Sequence, residues 1–354
     1  MWNYILLAFV PLAVVLEVLH APGVWIFLVS ALALLPLAGF MGRATEELAA
    51  RAGSTVGGLL NATFGNAAEL IIALVALFAG KIEVVKASIT GSILSNLLLV
   101  LGLSIFLGGL RYSTQKFNAQ AARLMASLLT LTLIAFLLPA FFDIAERGFF
   151  KVVDPSLPDQ MFSLATAGVL VLIYLSNIYF SLRTHKDLIS GISEEHHQAT
   201  WSLPLAVGVL AAATAGVAVM AEFLVGSLEE ATQVLGLSEF FVGIILIPLV
   251  GNAAEHFAAV VFAMKNKMDL AVQIAVGSSL QIALLVAPIL VIVGYFAGHP
   301  MDLVFQNPLE LAALAASILA TNAVVRDGET HWLEGVLLLG VYLLLGFAFF
   351  FTPH

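Results

Sequence analysis

Two pentapeptides of identical sequence, Gly65-Asn66-Ala67-Ala68-Glu69 and Gly251-Asn252-Ala253-Ala254-Glu255, lie inside long apolar runs. On a helix Asn66 and Glu69 share a face, as do Asn252 and Glu255, because residues three apart are neighbours. Each copy therefore presents an amide oxygen and a carboxylate to one side. The next apolar run in each case adds Ser92 and Asn96, or Ser278 and Gln281, again three or four residues apart. The inventory is all oxygen, with two anionic groups. Hard cations want this chemistry, and Ca²⁺ accepts about six to eight oxygens in irregular geometry. The chain has no Cys and neither pentapeptide has a His, which disfavours a soft metal. Each leading glycine permits close backbone approach or local unwinding. Unwound carbonyls are tolerated at membrane depth only where they line a cavity or protein interior.

The same carboxylates can handle protons. A carboxylate near the middle of a membrane span costs at least about 2.5–3.5 kcal/mol on insertion scales, so it reads as functional. A bound divalent cation neutralises both glutamates and favours their ionised form; without it, desolvation and mutual repulsion favour protons. Ca²⁺ and H⁺ then compete for Glu69 and Glu255, and an empty, doubly ionised site is poorly placed to switch sides. His256 is a further candidate for proton coupling, although adjacent helical residues face different ways and a supporting or packing role suits it better. Glu46 and Glu47 near one side, and Glu222, Glu229 and Glu230 near the other, are candidates for cation vestibules; solvated helix ends are the plainer reading. Glu194, Glu195, His196 and His197 form a charged stretch that reads as a solvated linker, with regulatory cation binding as the alternative. Ser92, Asn96, Ser278 and Gln281 could equally glue helices together, and Gly91 and Gly277 read as packing residues.

These side chains need apolar elements to hold them. Of the 354 residues 61% are apolar and only 10% charged, against about 25% charged in a soluble domain. The expected fold is an all-α polytopic membrane protein. Runs of roughly 17–25 apolar residues can span, and eleven candidates emerge: 3–19, 24–40, 56–80, 83–109, 119–141, 161–183, 203–226, 238–263, 269–297, 308–325 and 332–352. The first lacks a positive leading region and reads as a retained span rather than a signal peptide. With the amino terminus cytoplasmic, ten Lys and Arg fall inside and four outside, which supports N-in and C-out. The net charge of −9 is spread over loops and gives no reason to expect nucleic acid.

At an offset of 186 residues the pentapeptides superimpose, as do Lys81 and Lys267, Gly91-Ser92 and Gly277-Ser278, and Leu98-Leu99-Val100 and Leu284-Leu285-Val286. The matched spans lie five apart, so the two copies cross in opposite senses. This is the inverted-repeat signature of secondary transporters. The expected organisation is an N-terminal transmembrane helix (1–23), a first five-helix repeat (24–183), a cytoplasmic linker (184–202) and a second five-helix repeat (203–354).

The run from Asn61 to Glu69 followed by Gly91-Ser92-Ile93-Leu94-Ser95-Asn96 resembles the first signature of the CAX family of cation/proton exchangers. Gly251 to His256 followed by Gly277-Ser278-Ser279-Leu280-Gln281 resembles the second, and the resemblance covers nearly the whole chain. It implies a Ca²⁺/H⁺ antiporter in a lipid bilayer, with Glu69 and Glu255 as central ligands and the second and seventh spans sliding as a gating pair. It also implies an acidic cytoplasmic helix between the halves; here that stretch holds only Asp187, Glu194 and Glu195. It leaves room for a homotrimer and implies no organic cofactor. Competing readings are a Na⁺/Ca²⁺ or Mn²⁺/H⁺ exchanger of the same build, and a cation channel. The absence of a His-Glu-x-x-His motif and of paired intramembrane aspartates speaks against an intramembrane enzyme. Compact loops suggest a prokaryotic plasma membrane.

Overall fold

The structure is a computed structural model that describes residues 5–150, 154, 156–185, 199–305 and 307–352. Glu194, Glu195, His196 and His197, with Asp187 and most of the expected linker, lie outside the described residues. The chain is a bundle of helices joined by short turns. In order these are α1 (Phe9–Val18), α2 (Gly23–Phe64), α3 (Ala67–Phe78), α4 (Ile82–Leu94), α5 (Leu101–Gly109), α6 (Ala119–Ala145), α7 (Ser156–Tyr179), α8 (Leu203–Gly226), α9 (Leu228–Leu235), α10 (Glu239–Phe241), α11 (Ile247–Gly251), α12 (Ala253–Ala263), α13 (Met268–Gln281), α14 (Ala287–Ala297), α15 (Pro308–Val324) and α16 (Trp332–Phe350). Two short strands, Gln115–Lys116 and Glu329–Thr330, pair antiparallel at one end of the bundle.

Seven helical stretches are long and apolar enough to cross a membrane: Gly23–Ala52, Ile82–Gly109, Ala119–Phe150, Ser156–Thr184, Leu203–Gly226, Met268–Ala297 and Trp332–Phe350. Four more, α1, α3, α12 and α15, are apolar but shorter. Length and composition thus give seven crossings among the described residues, or eight with the bent pair Leu228–Leu235 and Glu239–Gly251 taken as one span, and a helix lies within every expected span. Four of the expected spans come out short, 308–325 as the 17 residues of α15. Two are interrupted at their pentapeptides, where Asn66 and Asn252 leave helical geometry. The first span reduces to the ten residues of α1.

The connection expected between 40 and 56 is also helical. Arg43 to Ala52 is rich in Ala, Glu, Arg and Leu, all strong helix formers, so α2 runs through it. The axis nevertheless doubles back there. A Cβ on Gly57 would lie 2.4 Å from the Ala49 carbonyl oxygen, whereas residues eight apart in a straight helix are separated by about 12 Å.

Several helices contain π-helical turns. Ser95–Val100 joins α4 to α5, and Ile282–Val286 joins α13 to α14. A third, Val242–Leu246, precedes α11. Prolines explain two of them: Pro288 and Pro248 have no N–H to donate to the carbonyl four residues back, so the preceding turn widens. The carbonyl of Ile244 freed in this way packs on α4, where a Cβ on Gly91 would meet it at 2.0 Å. Gly91 is a packing residue, as expected; Gly277 faces open space.

Candidate functional site

Both pentapeptides break their helices at the same residue. Asn66 has φ −104°, ψ 30° and Asn252 has φ −90°, ψ 7°, the bridge region rather than the helical one. Each Asn stands at the N-cap of the following helix, a position its side chain usually serves by accepting a backbone N–H. Neither side chain caps here. Both reach across the molecule instead. Glu69 and Glu255 fall in the first turns of α3 and α12, where the helix dipole favours a negative charge.

The breaks and the π turns bring six of the expected residues into one hydrogen-bond network. Asn66 Nδ2 donates to Gln281 Oε1 at 2.6 Å. Ser278 Oγ donates to Asn66 Oδ1 at 2.6 Å. Asn96 Nδ2 donates to Ser278 Oγ and to Asn252 Oδ1, each at 3.2 Å. Asn252 Nδ2 donates to Ser92 Oγ at 3.1 Å and to the Pro248 carbonyl at 2.9 Å. Every side-chain to side-chain link joins a residue before the expected linker to one after it. Asn66, Asn96, Asn252, Ser92 and Ser278 are buried and Gln281 is half-buried.

The two carboxylates flank this network. The charge of Glu255 acts on Glu69, and the Ser278 hydroxyl lies within reach of the Glu255 carboxylate. Glu69 and Ser92 share a small cavity, about 10 Å³, with Ile72, Ser88, Ile247 and Gly251; a space of that size holds about one water-sized body. Gly251 makes room for the opposite carboxylate, since its absent Cβ would touch Glu69 Cγ at 3.4 Å. Gly65 likewise lies against Gln281, 3.2 Å from its Oε1 to the position of a Cβ. Both glycines serve close approach, and neither unwinds to positive φ.

Three buried oxygens at the site find no hydrogen-bond partner among the described residues: Glu69 Oε2, Glu255 Oε2 and Asn96 Oδ1. All three are acceptors. Buried acceptors left without donors mark a place for a proton, a water or a cation. No group of three or more acidic or His side chains among the described residues is arranged to hold a metal by itself, so any cation held here would draw on amide and hydroxyl oxygens as well.

The remaining expected residues lie apart from the network. His256 Nε2 is 3.2 Å from Ser95 Oγ. Glu47 is buried and accepts from Thr200 N at 2.7 Å, Thr200 Oγ1 at 2.5 Å and Trp201 N at 2.9 Å. Glu46 and Glu222 are exposed on α2 and α8. Glu230 Oε1 accepts from Gly23 N at 2.7 Å. Glu229 is 3.6 Å from Lys81 Nζ, which also donates to Glu239 Oε1 at 2.8 Å. Lys81 lies in the loop before α4, and the hydrogen bond to Glu239 raises its pKa.

Lys86 and Glu310, like Glu146 and Asp159, are buried groups not singled out from the sequence. Lys86 donates to Asp302 Oδ1 at 2.7 Å and to the Val304 carbonyl at 2.8 Å. Glu310 accepts from Thr90 Oγ1 at 3.2 Å. Both occupy the first or second turn of their helices, where charged residues ordinarily read as solvated ends. The intramembrane position that marks Glu69 was the missing signal.

The sequence profile of the family described as sodium/calcium exchanger protein matches residues 22–183 and 205–351. A Ca²⁺/H⁺ antiporter of Aphanothece halophytica is 50% identical over 363 residues, covering 98% of this chain and 96% of the relative. The Ca²⁺/H⁺ antiporter ChaA of Bacillus subtilis is 44% identical, with 96% of both chains covered. Among solved structures, native YfkE superimposes with a TM-score of 0.85 at 41% identity, over 99% of this chain and 100% of that one. The H⁺/Ca²⁺ exchanger CAX shares the fold, with a TM-score of 0.74 at 16% identity over 99% of this chain and 91% of that one.

Proposed function

Because this chain belongs to the sodium/calcium exchanger protein family, and to the Ca²⁺/H⁺ antiporters within it, we propose that it moves Ca²⁺ out of the cytosol in exchange for H⁺. Glu69 and Glu255 are the groups for which the two ions compete. The observation that carries this reading is the set of three unpartnered buried acceptors, two of them on the paired glutamates. An ionised carboxylate only accepts hydrogen bonds, whereas a protonated one carries its own donor. With two protons bound, the pair is neutral and can donate into the network. With Ca²⁺ bound, both carboxylates, the Asn96 carbonyl oxygen and the nearby hydroxyls supply hard oxygen ligands. Either loading removes the net charge; the empty ionised pair keeps it and resists the change of access.

The rest of the organisation follows the same reading. The halves 24–183 and 203–354 are inverted repeats after an N-terminal transmembrane helix, the chain crosses about eleven times, and the termini lie N-in and C-out in a prokaryotic plasma membrane. Asn66 and Asn252, one per repeat, hold the two half-helices against each other while access alternates. His256, next to Glu255 in sequence and 3.2 Å from Ser95 Oγ, has a supporting role beside the site.

The test is Ca²⁺ uptake into proteoliposomes holding the purified protein, with an imposed pH gradient and a lumenal pH dye. Ca²⁺ movement matched by opposite proton movement, and lost in both Glu69→Gln and Glu255→Gln, is the expected result. Uptake driven by a Na⁺ gradient without proton counterflow would move the assignment to Na⁺/Ca²⁺ exchange. Voltage-driven flux without any counter-ion would make the protein a channel.

A further inference from the structure

We propose that Glu47 and Glu230 are positioning residues that lock α2 and α8 into one register by each holding the start of the opposite helix. Among the described helices these two make the most extensive contact, and they run antiparallel, since the start of α2 lies by the end of α8 and Glu47 by the start of α8. At one end the carboxylate of Glu230, in the first turn of α9 just past the end of α8, accepts the N–H of Gly23, the first residue of α2. At the other end the carboxylate of Glu47, on α2, accepts the N–H groups of Thr200 and Trp201 and the Thr200 hydroxyl, just before α8 begins. Gly23 and Glu47 are separated by about 36 Å of helix, at 1.5 Å per residue. That is about the thickness of a bilayer's hydrocarbon core, so the two clasps sit at opposite faces.

Both ends show further fitting. A Cβ on Gly23 would lie 2.8 Å from Glu230 Oε2, so a glycine is required for the carboxylate to seat there. Around Trp201, Arg43 stacks on the ring at 4.8 Å and Arg51 donates to its carbonyl. Between the clasps the contact is apolar: Gly216 lies under Leu37, and Thr214 Oγ1 meets Met41 Sδ at 3.5 Å. In lipid an apolar contact gives little register, because the lipid tails are as apolar as the partner helix. Hydrogen bonds from backbone N–H groups to the oxygens of these side chains are directional. The register of the pair is therefore set at its ends.

This assigns Glu47 and Glu230 an acceptor role rather than the charge role of vestibule acids, and the two roles separate by substitution. A glutamine keeps an acceptor oxygen and loses the charge; an alanine loses both. In reconstituted protein, Glu47→Gln and Glu230→Gln should keep at least about half of the maximal Ca²⁺ uptake rate, while Glu47→Ala and Glu230→Ala lose about tenfold, a change of 1.36 kcal/mol in barrier. The half-saturating Ca²⁺ concentration should stay unchanged in all four. Glutamine variants as poor as the alanine ones, or a raised half-saturating concentration, would overturn the clasp in favour of cation attraction.

A second measurement does not depend on how well the alanine variants fold. The chain has no cysteine, so Glu47→Cys with Thr200→Cys, and Gly23→Cys with Glu230→Cys, give clean pairs for a short thiol cross-linker. Transport that persists or recovers when either pair is closed supports a fixed register. Transport lost on closure and restored by reductant, or pairs that never close, would overturn it. The inference rests on the antiport reading only for its driving force. If wild-type Ca²⁺ uptake carried no protons, that reading would fail, and the cross-link result would still be read from Ca²⁺ uptake alone.

Discussion

The amides at the site work as a frame rather than as free ligands. Asn66 and Asn252 each stand where an Asn would ordinarily cap a helix, yet their side chains bond residues of the other half. Replacing Asn252 by Ala leaves Asn96 Nδ2 and Ser92 Oγ short of a buried partner, a loss of about 1–3 kcal/mol. The expected outcome is a lower melting temperature in detergent, together with weaker Ca²⁺ retention in a binding assay; unchanged stability would mean the bonds are not formed. At this scale the sequence was highly legible. Identical residue types at one constant offset named both carboxylates and four of the six network members, Asn66, Asn252, Ser92 and Ser278, because duplicated chemistry leaves duplicated letters; Asn96 and Gln281 came from helical spacing instead. Which amide pairs with which hydroxyl was not legible, since that depends on a helix break at Asn66 and Asn252 rather than at the neighbouring glycines. Glu47 and Glu230 were named as vestibule candidates, but their partners were not legible, because these lie 153 and 207 positions away at no shared offset.

The positions of the elements were legible from hydropathy, and their ends were not. The span expected at 203–226 is α8 to the residue, while the loop expected after residue 40 continues as helix because its residues are helix formers. The π turns were invisible as apolar letters, although Pro248 and Pro288 signal two of them in hindsight. The carbonyl that Pro248 frees fixes α4 against the Val242–Leu246 turn through Gly91. Gly91→Ala would place a Cβ 2.0 Å from the Ile244 oxygen, and overpacking of that severity costs about 3 kcal/mol. We expect no folded protein in a size-exclusion profile; a normal profile with full transport would refute the packing role. At the opposite margin of the same region, Lys81 ties the α3–α4 loop to Glu239. The tie raises its pKa above the ordinary lysine value, so the stability it adds is complete below that ordinary value and fades as pH rises through the raised one. Lys81→Met should therefore lower the melting temperature slightly at neutral pH, by the small amount a partly exposed pair contributes, and the difference from wild type should vanish only in strong alkali.

For the whole molecule, the two halves meet at a site that neither completes alone. Each supplies one carboxylate and part of the amide frame, and the cross-links of that frame run between halves. A site shared in this way can change its exposure without being dismantled, provided that its charge is neutral in the moving states. On the proposed reading, Ca²⁺ and H⁺ compete at this site. Acidifying the side from which Ca²⁺ binds should raise the half-saturating Ca²⁺ concentration, by up to about tenfold per pH unit for each proton displaced. The most direct test is proton release on Ca²⁺ binding, measured with a pH dye in weakly buffered detergent solution. The account predicts that Ca²⁺ added to the wild-type protein releases protons, up to one for each of the two glutamates, and that Glu69→Gln and Glu255→Gln each reduce the release. Ca²⁺ binding with no proton release, or release untouched by both substitutions, would contradict it.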